Sequence, residues 1–554
     1  MCIPLLAFVY QSHFKIFMNN RPDNYRPKKN RKVVIVGLIV LIAGALISYS
    51  LWHTSENKQE DAGSDIRTDF PTATLQSISR GKILSQQYCR SCHMLPDPAL
   101  LNRFKWKNVF PQMGLRMGIK AHRGESYEGT IKGDDLIVPD KPVLNDEQWQ
   151  DIIDYYMNTA PIALPAQNRP VAIKRGLSFF TIQKPLQSFD DKQVLGCYVK
   201  IDNNVKPARI FVANGQAKKL YLLSAQLNVI DSIATTGPVV DILFDHGNTM
   251  ICTIGKELGA NSDKLGTITP LTITGNGKMQ LASHPIFEKL GRPVQVLAAD
   301  MNNDNKTDYV ICEFGSITGE LCWMENLGNG AFTKHVISTL PGAIKAYIDY
   351  QDNKLPGLYV LFAQGEEGIF HFENKGGGKF DAKEILRFPP IYGSSYFEMV
   401  DMNHDGYKDI VYTCGDNGNA TLVLKPYHGV YIFLNDGKGN YKQQYFYPIN
   451  GCYKAIAKDF DGDGNIDIAT ISLFTDARQP EEGFVYLKNT GNLNFKPYAF
   501  PADTKFERAV TLDAGDINGD GKPDLLIGNA FFDFGPFKYN INEPLFYVLK
   551  NTSK

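Results

Sequence analysis

The chain lacks a dominant charge, is poor in cysteine and tryptophan, and has almost no long apolar runs. Lys and Arg number 58 against 59 Asp and Glu, a net charge of −1, so nothing in the balance suits a polyanion and nucleic acid is excluded as a partner class. Nine Cys in 554 residues exclude a disulfide scaffold and shift attention to where each thiol sits. A single uncharged run of bilayer length excludes a multi-span membrane protein. With 43% hydrophobic and 21% charged residues, wholesale disorder is excluded too. What is abundant is Gly (48), Phe (33) and Tyr (27), a composition of turns and strands. At roughly 100–200 residues per domain the length allows two to four units.

The one apolar run is Val33–Trp52, VVIVGLIVLIAGALISYSLW, 20 residues without a charge and about 30 Å long as a helix, the depth of a bilayer core. Arg21, Arg26, Lys28, Lys29, Arg31 and Lys32 precede it, and Glu56, Glu60, Asp61 and Asp65 follow. The positive-inside bias makes 1–32 a cytoplasmic basic segment and 33–52 a transmembrane anchor, with everything after about residue 53 periplasmic or extracellular. A cleaved signal peptide is the competing reading. The run is longer than a usual h-region, and Ile47-Ser48-Tyr49-Ser50 is a poor small-residue cleavage site, which favours a retained anchor. Met18 is an alternative start. A polar linker, 53–74, comes next.

Beyond it stands Cys89-Arg90-Ser91-Cys92-His93. The C-x-x-C-H spacing lets two thiols form thioethers to haem vinyl groups while the adjacent imidazole turns onto the iron. A zinc half-site is the alternative, but zinc would want two more thiolates or imidazoles nearby and the next Cys is Cys197. Candidates for a sixth iron ligand are Met113 and Met117 in WKNVFPQMGLRMG, then Met157 and His122. Asn145-Asp146-Glu147 followed by Trp149, Ile152, Ile153 and Tyr156 predicts a capped helix ending by Pro161. Residues 75–165 resemble a small monohaem cytochrome c domain: a first helix ending in C-x-x-C-H, a W-x-x-V-[LF]-P-x-M-G segment at Trp106–Gly114, and a closing amphipathic helix. That resemblance implies an all-α domain with one covalent haem c on Cys89, Cys92 and His93, and Met113 as axial ligand. The gap from His93 to Met113 is short for the family, which keeps Met117 as the second candidate. Residues 166–174, ending a Pro-rich stretch, read as a linker.

From about 175 to 554 the texture becomes short β-branched and aromatic runs separated by Gly, Asn and Asp clusters, a signature of many antiparallel strands. One loop recurs. Its copies carry Asp300, Asn302, Asp304 and Asp308; Asp401, Asn403, Asp405 and Asp409; Asp459, Asp461, Asp463 and Asp467; and Asp516, Asn518, Asp520 and Asp524. Oxygen-bearing side chains at loop positions one, three, five and nine, often with Gly at six, can curl around a hard cation, which is calcium chemistry of the EF-hand kind. Here the flanks are strands, so an EF-hand is the wrong parent. A metal-free Asx turn is the bland alternative, and four copies in one register weigh against it.

The loop starts lie 101, 58 and 57 residues apart, so a unit belongs in the first interval. Asp349-Tyr350-Gln351-Asp352-Asn353 fills it, with Gly357 in place of the last carboxylate, predicting a blade without a strong metal site. Weaker units fall at Asp202-Asn203-Asn204 and near Asp245-His246-Gly247. A period of roughly 50–58 residues with about four strands is a propeller period, and seven units of about 54 fill 175–554. A pair of sandwiches is the other architecture the alternation allows. The loops resemble the FG-GAP/VCBS repeats of integrin-type propellers, which implies an all-β propeller of about seven blades with about four bound Ca²⁺. Cys312 and Cys322 flank a hairpin turn and are read as buried free thiols ahead of a disulfide.

The functional expectation is a membrane-anchored extracytoplasmic c-type cytochrome that passes single electrons to or from a redox partner protein, its propeller being a calcium-stiffened platform for docking or for a carbohydrate or protein ligand. An alternative makes the propeller a dehydrogenase that delivers electrons to the fused haem. Quinoprotein propellers of that type carry tryptophan-rich docking motifs, whereas only Trp323 of the four Trp lies in the repeats. No nicotinamide or flavin Gly fingerprint and no nucleophile triad is found, so no catalytic residues are assigned. Adhesion or carbohydrate binding with a haem sensor is the third reading.

Overall fold

The computed structural model describes residues 73–553 except 132–137, 186–188, 190–193, 246, 260, 262, 351–353, 419–421, 502–503, 505, 507 and 531–543. The apolar run at 33–52 and its basic flank lie outside the described residues, among which no helix is long and apolar enough to cross a membrane. The chain divides after Ala73, and Thr74–Lys554 forms one unit.

Three helices open that unit. Helix α1 (Leu75–Tyr88) starts at a capping box in which Thr74 and Ser77 satisfy each other's backbone N–H at 3.0 Å. Helix α2 (Arg103–Arg116) is capped by Asn102, and α3 (Asp146–Thr159) by the predicted Asn145, with Gln148 closing the box. Gly81 makes the α1–α3 approach possible, because a Cβ there would sit 1.8 Å from the Asp151 carbonyl oxygen. Trp106, Phe110, Trp149 and Tyr156 fill the space between α2 and α3, with Trp106 and Tyr156 rings 4.5 Å apart.

The remainder is a propeller of seven antiparallel blades, 196–234, 239–290, 293–338, 343–387, 394–448, 452–499, and a seventh made of 509–551 with Phe180–Gln183; each is four-stranded except the second, to whose third strand Phe287–Leu290 adds a fifth. That last strand pairs with Phe546–Asn551 as the outermost strand of the seventh blade, tying the two ends of the propeller together and removing a free edge. Lys174–Arg175 adds in parallel to the outer strand of the sixth blade.

Seven apolar clusters correspond to the seven interfaces between neighbouring blades. The second strand of a blade therefore buries both faces, which is why Leu525-Leu526-Ile527 reads as a continuous apolar run: Leu525 and Ile527 pack toward the sixth blade and Leu526 toward the first. The same alternation separates the two paired cysteine candidates. Cys312 is opposite Leu321 and Cys322 opposite Ile311, so Cys312 faces the fourth blade and Cys322 the second. Every described cysteine is a free thiol.

All seven inner strands share a bulge near their start. The residue after it is Tyr198 in the first blade, Asp241 in the second and Gln295 in the third, then Lys345, Tyr396 and Lys454, and Thr511 in the seventh. Bulges re-aim side chains, and here the re-aimed position is polar in every blade.

Candidate functional site

Helix α1 runs directly into a single 3-10 turn, Cys89–Ser91, so Cys89, Cys92 and His93 sit on one short turn at its end. Both thiols are unpaired; Cys89 is half-buried and Cys92 exposed. Burial, and then the neighbouring Cys92, push the Cys89 thiol up to about 11. His93 Nδ1 lies 2.9 Å from the Met94 carbonyl oxygen. With the proton on Nδ1 donated to that carbonyl, Nε2 presents its lone pair, the arrangement by which a second partner fixes a metal-binding imidazole. Two free thiols and an oriented imidazole on one turn are a donor set that fits a covalently held haem. Burial pulls the guanidinium of Arg116, the last residue of α2, down, and Cys92 opposes that pull, so the C-terminal turn of α2 lies near the C-x-x-C-H. Met113 and Met117, both half-buried, belong to that turn and its cap. Both ring nitrogens of His122 are engaged by side chains: Nδ1 is 2.6 Å from Asp146 Oδ1 and Nε2 2.8 Å from Gln150 Oε1. Met157 is buried within α3.

The four recurring loops connect the first and second strands of the third, fifth, sixth and seventh blades. In each, the position-one carboxylate folds back on the loop's own backbone. Asp401 accepts from Asp405 N (3.1 Å) and Gly406 N (2.9 Å), Asp459 from Gly462 N (2.8 Å) and Gly464 N (2.9 Å). Asp300 and Asp516 do likewise at 2.7–3.2 Å. Among the described residues, Asp459, Asp461 and Asp463 form the one carboxylate group whose oxygens lie within 4.8 Å of one another. Lys488 Nζ ion-pairs with Asp461 and lies 3.3 Å from Asp463. Lys306 similarly pairs with Asp304 at 2.7 Å, while Asn302 donates to Glu325. Hard oxygen donors at three or four positions per loop fit a calcium ion in chemistry.

The position-nine carboxylates behave differently. Asp308, Asp409, Asp467 and Asp524 are fully buried, and each accepts two backbone N–H bonds: one from the loop's second residue and one from the end of the third strand. For Asp409 the donors are Met402 (2.8 Å) and Asn435 (2.9 Å), and for Asp524 they are Ile517 (3.0 Å) and Asn551 (2.7 Å). Burial raises all four above the usual carboxylate range, Asp467 to about 6. These side chains staple the loop to its blade.

An Asn repeat completes the staple and was not read from sequence. Asn326, Asn435, Asn489 and Asn551 each donate Nδ2 to the carbonyl before the position-nine Asp, and their Oδ1 accepts from the residue two positions on. The signal was present as Asn-x-Gly at 326, 435 and 489, but such triplets read as ordinary turns. In the fourth blade Asn374 keeps this role, bonding Pro356 O; Gly357 has no carboxylate, and Asp349 pairs instead with His371 Nε2 at 2.8 Å. Residues 351–353 of that loop lie outside the described residues. At Asp202 the side chain pairs with Arg209 at 2.7 Å.

The helical segment is bonded to the propeller. Tyr427 Oη donates to Leu100 O (2.9 Å), Gln167 Nε2 to His428 O (3.0 Å), and Arg169 to Pro448 O (3.1 Å) and the buried Glu482. Residues 166–174 are thus fastened along the fifth and sixth blades. Nearby, buried Glu367 accepts from Ser394 N (3.0 Å) and Oγ (2.7 Å), and burial pushes its carboxyl up to about 7. The folded chain therefore holds a proton that the unfolded chain releases near 4.5, and stability falls as pH rises from about 4.5 to 7. Glu367→Gln should remove this fall, a relative gain at pH 8 over pH 5 on the order of 3 kcal/mol, checked by urea unfolding at both pH values.

Residues 459–527 match the family model of the FG-GAP-like repeat, spanning the third and fourth loops. The chain is a seven-bladed β-propeller protein carrying an FG-GAP-like repeat. No curated protein matches it. Among solved structures, a chain from a S. cerevisiae complex of Dbp5 with Nup159, Gle1, IP6 and ADP is 11% identical, covering 69% of this chain and 98% of that one with a TM-score of 0.40. Virginiamycin B lyase from Staphylococcus aureus is 12% identical, covering 67% and 98% with a TM-score of 0.41. Likenesses at this level bear on neither ligand nor activity.

Proposed function

We propose that this protein is a membrane-anchored, extracytoplasmic c-type cytochrome that passes single electrons, its propeller being a calcium-stiffened docking or ligand-binding platform. The observation that carries this reading is the turn at the end of α1, where two unpaired thiols stand beside an imidazole whose Nδ1 is engaged by a backbone carbonyl. A haem bound there supplies one-electron exchange through its iron. Cys89 and Cys92 would tether it, His93 Nε2 would ligate it, and Met113 would provide the sixth ligand. Trp106, Phe110 and Tyr156 keep water from the interior of the helical segment, and the bonds from Tyr427, Gln167 and Arg169 hold that segment at a fixed place on the propeller. A redox partner then meets a surface built from both parts.

Met113→His is expected to change the ligand-field spectrum and the reduction potential, whereas Met117→Leu should leave both nearly unchanged. The reverse pattern would assign the ligand to Met117.

For the loops, calcium would replace backbone N–H donors and lysine ammonium groups as the partner of clustered carboxylates that otherwise repel one another. Asp461→Ala with Asp463→Ala should lower the melting temperature only when Ca²⁺ is present. Equal loss in chelator would remove the metal role. Lys488→Met takes away the competing cation and should tighten calcium binding, read by calorimetric titration.

A further inference from the structure

The seven inner strands ring the propeller axis, and their post-bulge positions and the residues two further on are half-buried at Tyr198, Lys200, Asp241, Lys345, Tyr396 and Lys454. Four acceptors in this ring are already committed to the neighbouring blade. Asp241 accepts from Val296 N (3.0 Å), Gln295 from Ala346 N (2.7 Å), Glu398 from Ala457 N (2.7 Å) and Asp513 from Ile201 N (2.7 Å). These bonds satisfy backbone groups on the open edges of inner strands and fix the acceptors in place. Lys200 is paired with Asp513 at 3.1 Å.

Lys345 and Lys454 are not so served. Among the described residues neither has a carboxylate within ion-pair distance. Instead both reach one aromatic ring from opposite sides of the fifth blade: Lys345 Nζ is 5.7 Å and Lys454 Nζ 4.7 Å from the centre of Tyr396, with Tyr347 5.0 Å from Lys345. Burial pulls Lys345 down, against the opposing pull of Asp241 and Glu398, and Lys454 to about 8, against that of Asp513 and Glu398. Sequestered ammonium groups without a hydrogen-bonded counter-ion are costly, and an anion between them offsets that cost.

We propose that the ring of inner strands binds a small hydroxylated monocarboxylate of the sugar-acid class, its carboxylate between Lys345 and Lys454. The body of such a ligand meets what remains. Asp241 and Glu398 each keep lone pairs for hydroxyl donors. A phosphate dianion is disfavoured by the three carboxylates Asp241, Glu398 and Asp513, and an apolar acid would offer their remaining lone pairs no donor. This deepens the ligand-platform reading of the propeller and draws nothing from the haem.

The test is calorimetric titration of the full chain with D-glucuronate, D-galacturonate and D-gluconate, and with D-glucose as the neutral counterpart, at fixed ionic strength. At least one sugar acid should bind, and glucose at least about tenfold more weakly. Lys345→Met and Lys454→Met should each weaken binding by about tenfold or more, and Lys200→Met, whose ammonium is already paired, by less than about threefold. Should a Met variant fail to fold, the rise in melting temperature of the parent chain with sugar acid over glucose decides the matter. Heat from none of the three acids, equal binding of glucose, or folded Met variants that bind like the parent would overturn the assignment. Haem content is read separately from the visible spectrum, so this inference and the cytochrome reading fail independently.

Discussion

Replacing Cys89 and Cys92 together by Ser is expected to abolish covalent haem entirely while leaving the propeller's melting transition in place. The two thiols sit on one turn at the end of α1, one half-buried and one exposed, with no disulfide between them. Serine preserves the size of each side chain and its fit in the turn, but a hydroxyl does not add to a haem vinyl group as a thiol does, so no thioether forms. Either single substitution leaves one attachment point and should retain reduced, still covalent loading. His93→Ala should keep the thioethers and change the iron's ligand field. Haem-stained denaturing gels read the covalent bond, and the melting transition reads the fold, because the seven apolar seams of the propeller contain none of these residues. Covalent haem surviving in the double variant would place the attachment elsewhere.

The second large effect concerns stability. Asp409→Ala should destabilise the protein by about 3–5 kcal/mol, since it strands two buried backbone donors, Met402 N and Asn435 N, each at about 1–3 kcal/mol. The raised carboxyl of Asp409 offsets a little of this, because burying that charge is itself unfavourable. Asp401→Ala, at the exposed end of the same loop, should cost under about 1 kcal/mol without calcium. The difference separates the two ends of a motif that looks uniform in sequence: position nine staples the loop to its blade, while position one bonds only to the loop's own backbone. Urea unfolding in chelator measures both. A loss under about 1 kcal/mol for Asp409→Ala would contradict the staple.

The propeller was legible because its loops repeat. Asp300, Asp401, Asp459 and Asp516 mark the ends of four inner strands, and their spacing fixed the blade phase, including the fourth blade built around Asp349 and Gly357. The closing strand Phe180–Gln183 was not legible, since nothing in four residues announces a partner more than 360 residues away. The burial of position nine was not legible, because burial is set by tertiary packing and an Asp at a strand start looks the same whether it faces water or a blade. The axial ring was hidden for a related reason. Lys345, Tyr396 and Lys454 stand in three separate strands, and only the shared bulge brings them to one level. In the helical segment the Asn145 cap was read locally and stands at the start of α3, whereas the engagement of both His122 ring nitrogens depends on Asp146 and Gln150, which lie 24 and 28 residues away.

The most direct measurement is the visible spectrum of the chain produced with cytochrome maturation machinery, recorded oxidised, after dithionite, and after a panel of sugars, alcohols and aldehydes. One covalent haem per chain, reduced by dithionite and by none of the organic donors, is the expected result for an electron carrier. Reduction by one of those donors would turn the propeller into a dehydrogenase, and a chain that emerges without covalent haem would contradict the cytochrome account altogether.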